Sequence, residues 1–144
     1  MQVSHLVKDI SAISMRILIA DDNERIRRAL KEIISSETHS EVCGEAADGE
    51  MALRLARELR PDLVLLDVSM PGLGGLEVAR MLRHESPEIK IIIMSQHDPR
   101  QLLPRAIEAG AHACVDKGRL NPDLFTTMKG IDATPLAPGG PMPD

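Results

Sequence analysis

The sequence predicts a three-layer α/β fold built on a doubly wound, five-stranded parallel sheet. Three observations predict it. Short apolar segments alternate with segments of helical spacing, five of each. The runs RILIA, LVLLD and KIIIMS are continuously apolar, as strands buried on both faces require. A repeated βα order implies parallel strands joined by right-handed crossovers, with helices on both sheet faces.

The elements follow in chain order. The first strand is Arg16–Ala20, and Ile26, Ala29, Leu30, Ile33 and Ile34 form the apolar stripe of the first helix. The second strand is Glu41–Ala46; its helix carries Ala52, Leu55, Ala56 and Leu59 and stops before Pro61. The third strand, Leu63–Asp67, leads to a helix marked by Leu76, Ala79 and Leu82. The fourth strand, Lys90–Ser95, leads to a stripe of Leu102, Leu103, Ala106 and Ile107, closed by Gly110. The fifth strand is Ala113–Asp116. Asn121-Pro122 then reads as an N-cap with proline at the first helical position. Leu124 and Met128 mark a short fifth helix, with Gly130 close behind. Residues 1–14 read as an N-terminal extension, 15–131 as the domain, and 132–144 as a flexible Pro/Gly-rich tail.

Composition narrows the function. Of 144 residues, 43% are apolar and 27% charged, so the chain has enough apolar surface for a core. Phe125 is the only aromatic residue, which leaves little for stacking bases or sugars. A net charge of −5 argues against a dedicated nucleic-acid binder. Cys43 and Cys114 lie far apart, as in a reduced cytosolic protein. No stretch approaches the length of a membrane span and none resembles a signal peptide, so a soluble, cytoplasmic protein is expected.

Doubly wound sheets bind ligands at the carboxyl ends of their strands. There the sequence places Asp21 and Asp22, Asp67, Ser95, and Asp116-Lys117. A lone aspartate at a strand end is usually a helix N-cap, and Asp21-Asp22 before Asn23 alone would be read so. The joint pattern is different. Three carboxylates in one cleft repel one another unless a cation sits among them. Oxygen ligands favour a hard ion such as Mg²⁺, which also shares oxygens with phosphoryl groups. Lys117 adds a compact positive charge and Ser95 a hydroxyl donor. The set suits attack by a carboxylate on phosphorus, with charge neutralised in the transition state.

From about Met15 to Met128 the chain resembles the receiver domain of bacterial response regulators. The motifs that carry the resemblance are ILIADDNERIRRAL, PDLVLLDVSMPGLGGLE, IIIMSQHD and AGAHACVDK. Ser95 stands 28 residues after Asp67 and Lys117 stands 22 after Ser95, a compact spacing like that of receivers that precede a LuxR-type helix-turn-helix. The resemblance implies a flavodoxin-like sheet of order 2-1-3-4-5. It implies Asp67 as phospho-acceptor, with Mg²⁺ held by Asp21, Asp22, Asp67 and the backbone carbonyl of Ser69. Ser95 would bind a phosphoryl oxygen, and Lys117 would pair with the phosphate. The donor would be a phosphohistidine on a sensor histidine kinase or phosphotransfer protein. Such a domain catalyses its own phosphorylation and dephosphorylation but is not a metabolic enzyme. Its output would be contact with a downstream protein, with a homodimer left open and no direct DNA binding expected from this chain.

Several positions depart from the family pattern. Cys114 stands where Tyr or Phe is usual, so the aromatic output switch is missing; the simplest reading is a small buried apolar residue. Gln96 follows Ser95 where a small residue is usual. His97 and Ser69 occupy positions expected to set the phosphoryl lifetime. No helix-turn-helix follows, which suits either a stand-alone receiver or a truncated regulator. The basic residues Arg25, Arg27, Arg28 and Lys31 on the first helix read as a solvated face or as a kinase-docking surface. The alternative function is a receiver-fold interaction module whose output is independent of phosphorylation. A flavin oxidoreductase is a distant third, since the stacking aromatics are missing.

Overall fold

The computed structural model describes residues 13–133. Five strands, β1 (Arg16–Ala20), β2 (Glu41–Ala46), β3 (Leu63–Asp67), β4 (Lys90–Ser95) and β5 (Ala113–Asp116), have the bounds the apolar runs predict. All pairings are parallel, and the order is β2-β1-β3-β4-β5. The helices are α1 (Glu24–Glu37), α2 (Gly49–Leu59), α3 (Gly75–Glu85), α4 (Pro99–Glu108) and α5 (Leu120–Ala133), with a 3₁₀ turn at Lys117–Arg119 before α5.

Alternate residues of each central strand feed two cores. Leu18, Val64, Leu66, Ile91 and Ile93 face α2, α3 and α4. Ile17, Ile19, Leu63, Leu65, Ile92 and Met94 face α1 and α5. Both faces are covered, which is why these strands are apolar at every position. Burying each such side chain contributes roughly 1.5–3 kcal/mol.

The caps explain where helices begin. Asn23 Oδ1 accepts the N–H groups of Arg25 and Ile26 at the start of α1. Asp48 and Asp98 do the same for α2 and α4. Because Asn23 caps α1, Asp21 and Asp22 are spared that role. Asn121 has extended backbone (φ −110°, ψ 112°), so regular helix in α5 starts at Pro122, as Asn-Pro predicts.

Three expectations change. The α5 helix is not short: it passes through Gly130 to Ala133. Ile131 is buried, and its carbonyl accepts from Lys90 Nζ at 3.2 Å, so tertiary contact outweighs the glycine. The α4 stripe is narrower than predicted. Leu102 and Ala106 are buried, but Leu103 and Ile107 are 39% and 47% exposed, because only one side of α4 meets the sheet. Ile13, assigned to the extension, is buried in the α1/α5 core, and its carbonyl accepts from His39 N–H. Residues 1–12 of the expected extension and 134–144 of the expected tail lie outside the described residues.

His112 ties the sheet edge with its side chain. Its backbone N–H donates to Ile91 O at 2.7 Å, and its side-chain Nδ1 accepts from Ile91 N–H at 3.1 Å. Acceptance requires an unprotonated Nδ1. Partial burial first, then Lys90 and Arg83, push this imidazole below its usual pKa. A lowered folded-state pKa means that the unfolded chain takes up the proton first. The stabilisation is therefore complete above the unfolded value of about 6.5 and is lost as pH falls. We predict that the stability advantage of the wild type over His112→Asn shrinks between pH 7.5 and 5.5 in urea titrations. An advantage constant across that range would refute the link.

Candidate functional site

The strand order places the carboxyl ends of β1 and β3 side by side, with β4 next to β3 and β5 beyond it at the sheet edge. Asp21, just beyond β1, is fully buried; Asp67, the last residue of β3, is 3% exposed. Asp22 is exposed beside them. Lys117 follows β5 and reaches back with a side chain only 6% exposed. Its Nζ lies 2.8 Å from Asp21 Oδ2 and 3.4 Å from Asp67 Oδ2.

The remaining oxygens are held by backbone. Asp67 Oδ1 accepts from Ser69 N–H at 3.1 Å, and Asp21 Oδ1 accepts from Asn23 N–H at 2.8 Å. Asp21 Oδ2 is buried and has no directed hydrogen bond; its close polar neighbour is the Lys117 ammonium. Burial raises the Asp67 pKa, and Asp21 adds to the rise against Ser69 N–H and Lys117. For Lys117, burial opposes the charge, but Asp21 and then Asp67 outweigh it and hold the pKa up.

One oxygen from each of Asp21, Asp22 and Asp67 lies within 4.8 Å of the others. Three carboxylates against one ammonium leave two negative charges. A hard divalent cation would cancel them, with carboxylate oxygens of Asp21, Asp22 and Asp67 as its ligands. The residues therefore fit a metal site.

A cleft of about 500 Å³ opens above the cluster, lined by Asp22, Asn23, Asp67, Ser69, Gln96, His97 and Lys117. The structure thus brings together Asp21, Asp22, Asp67 and Lys117, with Ser69 on the cleft wall. Ser95 ends β4 at the same sheet edge but is buried behind the lining, and its Oγ accepts from His97 N–H at 3.0 Å. Gln96 and His97 are exposed at the mouth.

Two neighbours have roles at the site that the sequence alone does not assign to them. A Cβ on Gly75 would overlap the carbonyl oxygen of Asp67 and lie 3.0 Å from Val68 Cα, so glycine lets α3 start directly against the acceptor's backbone. The double glycine was the available signal. Arg27 donates from Nη1 to Asp21 O at 2.7 Å, which nothing in the sequence singled out from the other basic residues.

Cys114 packs at the edge of the α2/α3/α4 core. Burial pushes its thiol up to about 11, so it stays protonated and acts as a small apolar residue.

Known proteins share this sequence pattern and fold. The response regulator receiver domain model matches residues 17–129. Response regulator GacA of Pseudomonas aeruginosa is 38% identical over 104 residues, which are 72% of this chain and 49% of that protein. Response regulator UvrY of Escherichia coli is 32% identical over 117 residues, 81% of this chain and 54% of that protein. The chain thus spans about half the length of the curated relatives it matches. A solved structure of a LuxR-family DNA-binding response regulator from Staphylococcus aureus superposes with a TM-score of 0.76 at 29% identity, covering 82% of this chain and 98% of that one. With an acid cluster and lysine at the carboxyl edge of a 2-1-3-4-5 sheet, and with a family match across nearly all the described residues, the chain belongs to the response regulator receiver domains.

Proposed function

We propose that Asp67 accepts a phosphoryl group, with Mg²⁺ bound beside it, from the phosphohistidine of a sensor histidine kinase or phosphotransfer protein. The observation that carries this is the buried Asp67 carboxylate facing the Lys117 ammonium, with carboxylate oxygens of Asp21 and Asp22 alongside. Asp21, Asp22 and Asp67 hold the ion through their carboxylates, and Ser69 holds it through its backbone carbonyl. When bound, the ion neutralises charge and orients phosphoryl oxygens. An Asp67 oxygen bonds to phosphorus as the bond to the donor histidine nitrogen breaks, which leaves an acyl phosphate. Lys117 pairs with one phosphoryl oxygen, and the Ser95 hydroxyl donates to another. Ser69, Gln96 and His97 control the approach of water and hence the phosphoryl lifetime.

The domain then signals by contact with a downstream protein rather than by turning over a separate substrate. The downstream partner is a separate protein or a second copy of this chain, and no direct DNA contact is assigned to this domain. Among the described residues no helix is long and apolar enough to cross a membrane; the cytoplasmic location belongs to this reading through the kinase or phosphotransfer partner it assigns. The domain proper extends slightly beyond the expected 15–131, since Ile13 packs in the core and α5 runs to Ala133. The phosphorylation-independent module is not favoured, since an unused site would not need the complete acid cluster.

Intact mass after incubation with acetyl phosphate and Mg²⁺ tests the reading. The wild type should gain one phosphoryl group, and Asp67→Asn should gain none. Equal labelling of both would move the acceptor elsewhere, and no labelling by acetyl phosphate or any cognate kinase would reject the reading.

A further inference from the structure

The backbone of Asp21 is held from both sides by β2 and its neighbours. Its N–H donates to Ala46 O at 3.0 Å. Its carbonyl accepts from Arg27 Nη1 at 2.7 Å. Arg27 lies on α1, and its Nε donates to Glu45 Oε1 at 2.9 Å. Lys31, one turn further, donates to Glu45 Oε2 at 2.8 Å. The Lys31 hydrogen bond, against partial burial and with help from Arg27, holds Glu45 below the usual carboxylate range, so it stays ionised. Arg27 and Lys31 are therefore engaged within the domain, which leaves Arg25 and Arg28 as the outward part of the basic face.

The Asp21 carbonyl belongs to the peptide unit that carries Asp22. Asp22 is exposed, and among the described residues no side-chain hydrogen bond or ion pair orients its carboxylate. Its place beside Asp21 and Asp67 is therefore set by its backbone. The Asp21–Asp22 peptide plane sets where the Asp22 side chain leaves the backbone, while the Asp21 carboxylate is held by Asn23 N–H and Lys117.

We propose that Arg27, aimed by Glu45, is a positioning residue that holds the Asp21–Asp22 peptide in the orientation the divalent cation requires. This rests on the cation reading of the site given above. The guanidinium fork is essential, because two different nitrogens serve Glu45 and the carbonyl at once. A lysine ammonium is a point charge on a flexible stem and lacks that rigid span.

The sign of the effect separates positioning from simple electrostatics. A cation beside the acid pair repels a second cation, so charge alone predicts tighter Mg²⁺ binding when Arg27 is neutralised. Positioning predicts weaker binding. The test is Mg²⁺ titration of the full chain by calorimetry for wild type, Arg27→Gln, Arg27→Lys and Glu45→Gln, with thermal midpoints recorded without metal. Arg27→Gln should weaken Mg²⁺ binding roughly tenfold, the usual scale for groups that support metal ligands. Glu45→Gln should weaken it less, and Arg27→Lys should fail to restore the wild-type value. Acetyl phosphate labelling of Arg27→Gln should recover at saturating Mg²⁺, since no group touching phosphorus has changed.

Unchanged or tighter binding in folded Arg27→Gln overturns the proposal. Should that variant not fold, wild-type affinity in Glu45→Gln overturns it instead. Failure of the wild type itself to bind Mg²⁺ would reject the cation reading as well, which distinguishes the two failures.

Discussion

Asp67→Asn should raise the thermal midpoint of the metal-free protein while abolishing phosphoryl uptake. Asp67 is 3% exposed, and Asp21 and Asp22 each bring an oxygen within 4.8 Å of the cluster. Burial, then the Asp21 charge, raises its pKa despite Ser69 N–H and Lys117. A group whose folded-state pKa is raised favours the fold in its protonated form. That stabilisation is complete below the unfolded pKa and is lost as pH rises through the folded one. At neutral pH the ionised carboxylate therefore costs stability. Asparagine keeps an oxygen for Ser69 N–H and removes the charge, and Lys117 keeps Asp21 at 2.8 Å. The gain should be about 1 kcal/mol, or roughly 3–5 °C for a domain of this size.

Mg²⁺ should reverse the order. A ligand that binds only the folded state stabilises it by about 2.7 kcal/mol at a hundredfold excess over Kd. The wild type should show this gain, whereas the variant, short of one anionic ligand, should show little of it. The melting curves of the two proteins thus cross between chelator and excess Mg²⁺. A wild type at least as stable as the variant in chelator would refute the charge argument.

Gly75→Ala should damage the site more than its size suggests. The added methyl would overlap Asp67 O and sit 3.0 Å from both Asp67 C and Val68 Cα, which are backbone atoms with no rotamer to change. Gly75 N–H also donates to Val68 O at 3.2 Å, fixing α3 to the end of β3. Either α3 lifts or the acceptor's backbone moves. Overpacking of this kind costs about 1–3 kcal/mol. A displacement near 1 Å at a reacting group costs on the order of a hundredfold in rate. Labelling by acetyl phosphate should fall by that factor, with a lowered urea midpoint. The same change at Gly130, where an added Cβ meets nothing within 4 Å, should stabilise slightly as helix propensity improves. Wild-type labelling in Gly75→Ala would show that the contact does not position Asp67.

The sequence was sufficient for properties that repeat along the chain. Continuous apolar runs locate β1, β3 and β4 because both sheet faces are covered, and the βα alternation fixes parallel strands. Parallel strands all end at one edge, so Asp21, Asp22, Asp67 and Lys117 could be placed together from their strand positions alone. Tertiary structure decided what depends on distance across space. Leu103 and Ile107 have the spacing of core residues, yet they face outward because the sheet meets α4 along one narrow line. Gly130 looks like a stop, yet α5 continues because Ile131 has a buried place to go. Ser95 stands at the right strand end but behind the cleft lining. Among four basic residues of α1, only packing against β2 selects Arg27 for the Asp21 carbonyl. Periodicity encodes which face a residue takes; it does not encode which atom waits on the other side.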